Sequence, residues 1–143
     1  ASGMNMGTRF MATKEAPIHE NIKQALINAD EHSTTLILRT LNNTERVFKN
    51  AASEKVASIE SQTPGNLEAV LPYIKGENYR KSFQETGDVT NSVWSCGLSI
   101  ALIHDIPTVA NLLQTIITDA ESWLLSAHAL IKPVSASFPK ARL

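Results

Sequence analysis

The chain has 143 residues, 43% of them hydrophobic and 19% charged, a balance of ordinary globular usage that argues against disorder and suits one domain. Thirteen Lys and Arg against 14 Asp and Glu leave a formal net charge of −1, without the basic excess that a nucleic-acid or anionic-membrane surface needs. The one cysteine, Cys96, rules out an intrachain disulfide and is compatible with a reducing, cytoplasmic setting.

In chain order, Gly3 to Phe10 is rich in Met, Thr and Phe and predicts a short buried strand running into a turn. Such an opening, with no initiator Met, is expected of the tail of a longer protein. Thr13 before Lys-Glu-Ala-Pro has the pattern of a helix start, with a capping hydroxyl, Glu15 in the first turn and Pro17 near the first helical position. Ile18, Ile22, Ala25, Leu26 and Ala29 then lie on one face of an amphipathic helix. Ser33 to Leu41 is β-branched and apolar and predicts a strand, Asn42-Asn43 a turn, and Thr44 to Lys49 a segment that pairs back or runs extended. Ala51 to Ser61 predicts a helix, broken at Thr63-Pro64-Gly65. Asn66 caps a short helix through Ile74, which Gly76 ends, and Tyr79 to Glu85 adds a helical turn or two before Gly87.

The last third predicts a buried helix over Asn91 to Ile103 and a boundary at His104-Asp105-Ile106-Pro107, since proline forces the residue before it out of the helical region. From Val109 to Ile131 apolar residues recur in steps of three and four, a helix of about six turns that Pro133 stops, and its Trp123 and Leu stripe is expected to be packing surface. A lone strand followed by helices is a poor self-contained fold, because both of its edges stay unpaired.

Few residues here point to chemistry. Met6-Gly7-Thr8-Arg9-Phe10 combines a glycine that admits close approach of a ligand, a hydroxyl, and free N–H groups ahead of a helix; together they suit an anion such as a phosphate. Phosphate sites of (β/α)8 barrels are often built by the loops after the last strands. The same residues also fit an ordinary βα turn, with glycine supplying φ > 0 and threonine a cap. The four histidines, His19, His32, His104 and His128, show no metal spacing, and His104 and Asp105 need not face each other. Cys96 lies in an apolar run and is expected to be a buried, inert thiol. Ser95 to Ser99 lacks the order of a serine-nucleophile elbow.

The stretch GMNMGTRFMATKEAPIHENIKQAL resembles the last barrel strand and helix of the nitronate monooxygenase family (formerly 2-nitropropane dioxygenases), which also includes flavin-dependent enoyl-acyl-carrier-protein reductases. TTLILRTLNNTERVFKN at Thr34 to Asn50, the ETGDV segment and SVWSCGLSIALIHDIPT at Ser92 to Thr108 resemble later family segments, in the same order. The resemblance implies the C-terminal fragment of an FMN-binding TIM (β/α)8 barrel, the piece itself being α+β and mostly helical. Residues 1–32 would be the last barrel strand and its helix, 33–90 a small helix-rich subdomain with one or two strands, 91–132 helices returning to the barrel, and 133–143 a tail. It implies FMN as cofactor, its phosphate held partly by Asn5, Met6, Gly7 and Thr8, and oxidation of an alkyl nitronate by O2 to a carbonyl compound and nitrite. The family's catalytic histidine belongs to an earlier barrel segment, so no catalytic residue and no metal is assigned here, and the fragment alone is expected to be inactive. One departure concerns substrate: the family's Gly-Gln pair is Gly97-Leu98 here, and its second glycine is Ala101. The alternatives are an enoyl reductase of the same fold, using FMN and a reduced nicotinamide, and a non-catalytic helical interaction domain. A homo-oligomer is left open; neither nucleic acid nor membrane is expected as a partner.

Overall fold

A computed structural model of the chain describes residues 3–131. The chain forms two compact units, Ala1–Val109 and Ala110–Leu143. The first contains α1 (Thr8–Met11), α2 (Glu20–Ile27), β1 (Thr34–Ile37), a 3-10 turn (Arg39–Leu41), β2 (Glu45–Phe48), α3 (Ala51–Gln62), α4 (Leu67–Ile74) and α5 (Gly76–Arg80). Helix α5 runs on into a π-helical turn over Lys81–Thr86, and a second 3-10 segment covers Leu98–Leu102. The second unit is the body of α6 (Val109–Leu130).

β1 and β2 form an antiparallel hairpin, with Thr34 opposite Phe48 and Ile37 opposite Glu45. The chain turns between them through two left-handed residues, Leu38 at φ 58° and Asn42 at φ 55°. The turn is costly for a branched side chain, and Glu60 of α3 holds it. The Glu60 carboxylate accepts from Leu38 N at 2.7 Å, from Thr40 N at 3.0 Å and from Thr40 Oγ1 at 2.8 Å. On its other edge β2 meets residues 94–96, where Phe48 N donates to Trp94 O at 3.0 Å and Cys96 N to Arg46 O at 3.0 Å.

That pairing overturns the helix expected over Asn91 to Ile103. Residues 94–96 give their backbone groups to β2, leaving only the 3-10 segment helical. It also places Trp94 in the core, stacked on Phe48 with ring centroids 4.4 Å apart and packed against Phe83. Ile22, Leu26, Ile100 and Ile103 complete this cluster. A second cluster joins the hairpin to α3 and α4 through Ile37, Leu38, Val47, Val56 and Val70.

Three further expectations are corrected. Residues 3–6 form no strand and Thr8–Met11 is a single helical turn, since no neighbouring strand among the described residues offers the ladder partners a strand requires. The first long helix begins at Glu20, not after Thr13. His19 is its cap, its Nδ1 accepting from Asn21 N at 3.1 Å, and Thr13 turns inward, its hydroxyl donating to Phe10 O at 2.8 Å. Gly76 opens α5 rather than closing α4, with extended Lys75 between them.

Asn50 ties two distant parts together. Its Oδ1 accepts from Ser53 N at 2.9 Å and caps α3, while its Nδ2 donates to Val89 O and Ser92 O, each at 2.8 Å. Gly87 ends the π-helical turn at φ 65°, and a Cβ there would fall 2.1 Å from His19 Nδ1, so only glycine fits. In α6 the apolar stripe expected to be packing surface is exposed, Trp123 to 76%. Among the described residues no helix is long and apolar enough to cross a membrane. Pro133 and the tail lie outside the described residues.

Candidate functional site

The candidate residues Asn5, Met6, Gly7 and Thr8 lead into α1. Asn5 and Gly7 are exposed, Met6 and Thr8 half-buried. Gly7 has φ −82° and ψ −63°, values any residue adopts, so it supplies no left-handed turn. A Cβ on it would meet nothing within 4 Å, and its bare backbone faces open space. The ordinary-turn explanation through φ > 0 therefore does not hold here.

Four links seat this segment on residues 97–109. Gly97 N donates to Thr8 Oγ1 at 2.9 Å. Arg9 donates from Nη2 to Asp105 Oδ1 at 2.6 Å and from Nη1 to Asp105 O at 3.0 Å. Lys14 N donates to Pro107 O at 2.9 Å. Val109 N donates to Glu15 Oε2 at 2.9 Å. Arg9, Glu15, Gly97 and Asp105 were not assigned these roles from the sequence. Glu15 has the look of a first-turn acid of its own helix, yet its carboxylate accepts an amide 94 residues away. The opposite charges of Arg9 and Asp105 were the available signal, but nothing in the sequence pairs positions 96 apart.

The electrostatics are modest. Asp105 is 70% exposed, so its pair with Arg9 is worth no more than about 1 kcal/mol. What the pair fixes is orientation, because two donors of one planar guanidinium engage two acceptors of one residue. Thr8 is the informative member. A hydroxyl offers one donor and two acceptor positions. The Gly97 amide uses an acceptor position, and among the described residues no acceptor receives the hydroxyl proton. Beside α1, a cavity of about 370 Å³ is lined by Gly7, Phe10, Met11, Ala16, Pro17 and Ile18, with Thr13 and Glu15 as its polar members.

A larger hollow of about 580 Å³ lies at Leu36, Arg39, Thr40 and Glu60, remote in sequence from this segment. Its Glu60 and Thr40 groups are hydrogen-bonded to each other and to the Leu38 turn, so they are committed to structure. The other chemically capable residues are likewise committed or isolated. Cys96 is buried, which pushes its thiol up to about 12 and leaves it unreactive at neutral pH. The Ser95 hydroxyl donates to Glu45. Tyr79 is raised above its ordinary value by burial and by the nearby Glu45 charge. His19 caps a helix and His32 lies 3.8 Å from Glu31, and among the described residues no three His, Cys, Asp or Glu side chains cluster so as to hold a metal ion. The segment thus offers an unclaimed hydroxyl proton at Thr8 beside exposed backbone at Gly7.

The sequence model of a family described as nitronate monooxygenase matches residues 1–119. Among solved structures, FabK from Thermotoga maritima is similar at 25% identity and a TM-score of 0.77, over 88% of this chain and 39% of that one. A point mutant of the same protein gives 23% identity and a TM-score of 0.67, over 88% of this chain and 36% of that one. The chain therefore spans well under half the length of the solved structures it matches.

Proposed function

The chain belongs to the nitronate monooxygenase family, a family of flavin-dependent oxidoreductases, and from that premise we propose that it holds the phosphate end of FMN in an enzyme that oxidises alkyl nitronates. The observation that carries the site is the Thr8 hydroxyl, whose proton is unclaimed among the described residues, beside the open backbone at Gly7. These groups fit a phosphate: the hydroxyl donates, the glycine admits close approach, and no carboxylate of the segment is unpaired toward it, since Glu15 accepts the Val109 amide. Asn5 and Met6 would contribute through their backbone.

FMN, when bound, supplies the redox chemistry. This chain's residues do the positioning. Thr8 orients the phosphate, and the links from Arg9 to Asp105 and from Lys14 to Pro107 keep the segment in place. Per O2, the proposed reaction consumes two alkyl nitronates and releases two carbonyl compounds and two nitrites, which places both oxygen atoms. The base and the flavin-ring contacts are assigned to portions of the family's barrel that this chain does not span, so the chain alone is expected to give no turnover.

A second reading, an enoyl reductase using FMN and a reduced nicotinamide, is favoured by one feature. The Leu98 side chain, 58% exposed and standing where the resemblance expects the family's Gln, offers no hydrogen-bonding group. An apolar residue there suits an acyl chain better than a nitronate.

Titrating the chain with FMN and with riboflavin tests the site, since the two differ only in the phosphate. Tighter binding of FMN is expected; equal binding, or none, removes the phosphate assignment. Joining the chain to the barrel portion of a full-length family member then separates the two reactions. Nitrite release from a nitronate supports the first, and nicotinamide oxidation dependent on an enoyl thioester supports the second.

A further inference from the structure

Gly97 stands at φ −82° and ψ 163°, an extended conformation open to any residue, so backbone freedom does not account for a glycine there. Space does. A Cβ on Gly97 would lie 3.3 Å from Thr8 Oγ1, tighter than an ordinary contact, and 3.7 Å from Ser99 Oγ. The amide of the same residue donates to the same Thr8 oxygen at 2.9 Å. Two separate properties of Gly97, its N–H and its missing side chain, therefore act on one hydroxyl across 89 residues of sequence.

The consequence is directional. With one acceptor position filled by the Gly97 amide, the Thr8 proton points away from Gly97. Thr13, the other hydroxyl of the segment, shows the contrast: it is buried and its proton is spent on Phe10 O. We infer that Gly97 is a positioning residue, which sets the Thr8 hydroxyl as a donor to the phosphate of the flavin and whose missing side chain leaves that hydroxyl uncrowded. This rests on the flavin-phosphate reading above. It adds that the closing segment of the first unit, not only the opening segment, determines how well the phosphate is held.

The test uses Gly97→Ala, Thr8→Ala, Thr8→Ser and the Gly97→Ala/Thr8→Ala double variant. Dissociation constants for FMN and riboflavin are read by flavin fluorescence, and hydrogen exchange of the Gly97 amide by NMR. Losing a hydrogen bond to a charged group should raise the FMN constant of Thr8→Ala about tenfold, with riboflavin unchanged. Thr8→Ser keeps the hydroxyl and should bind FMN like the parent chain. Gly97→Ala should lose roughly three- to tenfold, and the double variant should be no worse than Thr8→Ala, because both changes remove one interaction. Parent-like FMN binding by Gly97→Ala, or losses that add, overturns the inference. If the parent chain does not prefer FMN to riboflavin, the flavin reading fails by itself. The link is then decided by exchange: a faster Gly97 amide in Thr8→Ala supports it, and an unchanged rate overturns it.

Discussion

Replacing Asn50 separates two jobs that one side chain performs. Its Oδ1 caps α3, and removing a cap costs about 1 kcal/mol. Its Nδ2 holds Val89 O and Ser92 O at 2.8 Å, two bonds worth about 1 kcal/mol each. Asn50→Ala should therefore destabilise the chain by about 3 kcal/mol, and Asn50→Ser, which keeps a capping oxygen but has no second donor, by about 2 kcal/mol. Asn50→Asp keeps the cap and sets a carboxylate against two carbonyls, so it should be worse than Asn50→Ser at neutral pH and recover as the acid protonates. Urea unfolding followed by the fluorescence of Trp94, which sits in the core that residues 89–92 lead into, measures all three. Equal losses for Ala and Ser, or a loss for Ala under about 1 kcal/mol, would refute the claim that this amide holds the 89–92 segment.

Other positions give sharp expectations. Gly87→Ala combines a left-handed backbone with a Cβ 2.1 Å from His19, and should cost more than about 2 kcal/mol in the same assay; adding His19→Ser, which retains a cap, should recover part of it. Glu60→Gln keeps one acceptor oxygen but turns an N–H donor toward one of the two amides, Leu38 or Thr40, and should cost about 2 kcal/mol in urea unfolding. Cys96 should resist a thiol reagent at pH 8 until the chain unfolds. Its folded thiol stays protonated up to about 12 whereas an unfolded one ionises near 9.0, so stability should be full below pH 9 and fall as pH rises toward 12. A Cys96→Ala variant should lose that alkaline decline.

Local signals in the sequence predicted what local physics decides. The Asn50 and Asn66 caps, the break at Thr63-Pro64-Gly65, the helices after both asparagines and the long α6 stand where capping residues and apolar periodicity put them. The strand after Ser33 and the turn at Asn42-Asn43 were legible, and of the two alternatives for Thr44 to Lys49 the structure takes pairing back. What the sequence concealed depends on partners far along the chain. Trp94 and Cys96 have the apolar character of a buried helix, but the free edge of β2 takes their backbone. The opening strand lacks any such edge among the described residues. At the site, the candidate segment was legible from its glycine and hydroxyl, whereas Gly97, Asp105 and Glu15 gain their roles only by meeting it in space.

The reach of those links bears on how the chain is made. Thr8, Arg9 and Glu15 wait for partners 89 to 96 residues downstream. At ribosomal speeds of about 5–20 residues per second, that interval is roughly 5–20 s. During it the hairpin and α3, whose contacts are short in sequence, can already form. The Thr8–Glu15 segment emerges before its partners and is seated only when they arrive, so a nascent chain stalled before Gly97 would carry a folded hairpin and an unplaced Thr8–Glu15 segment.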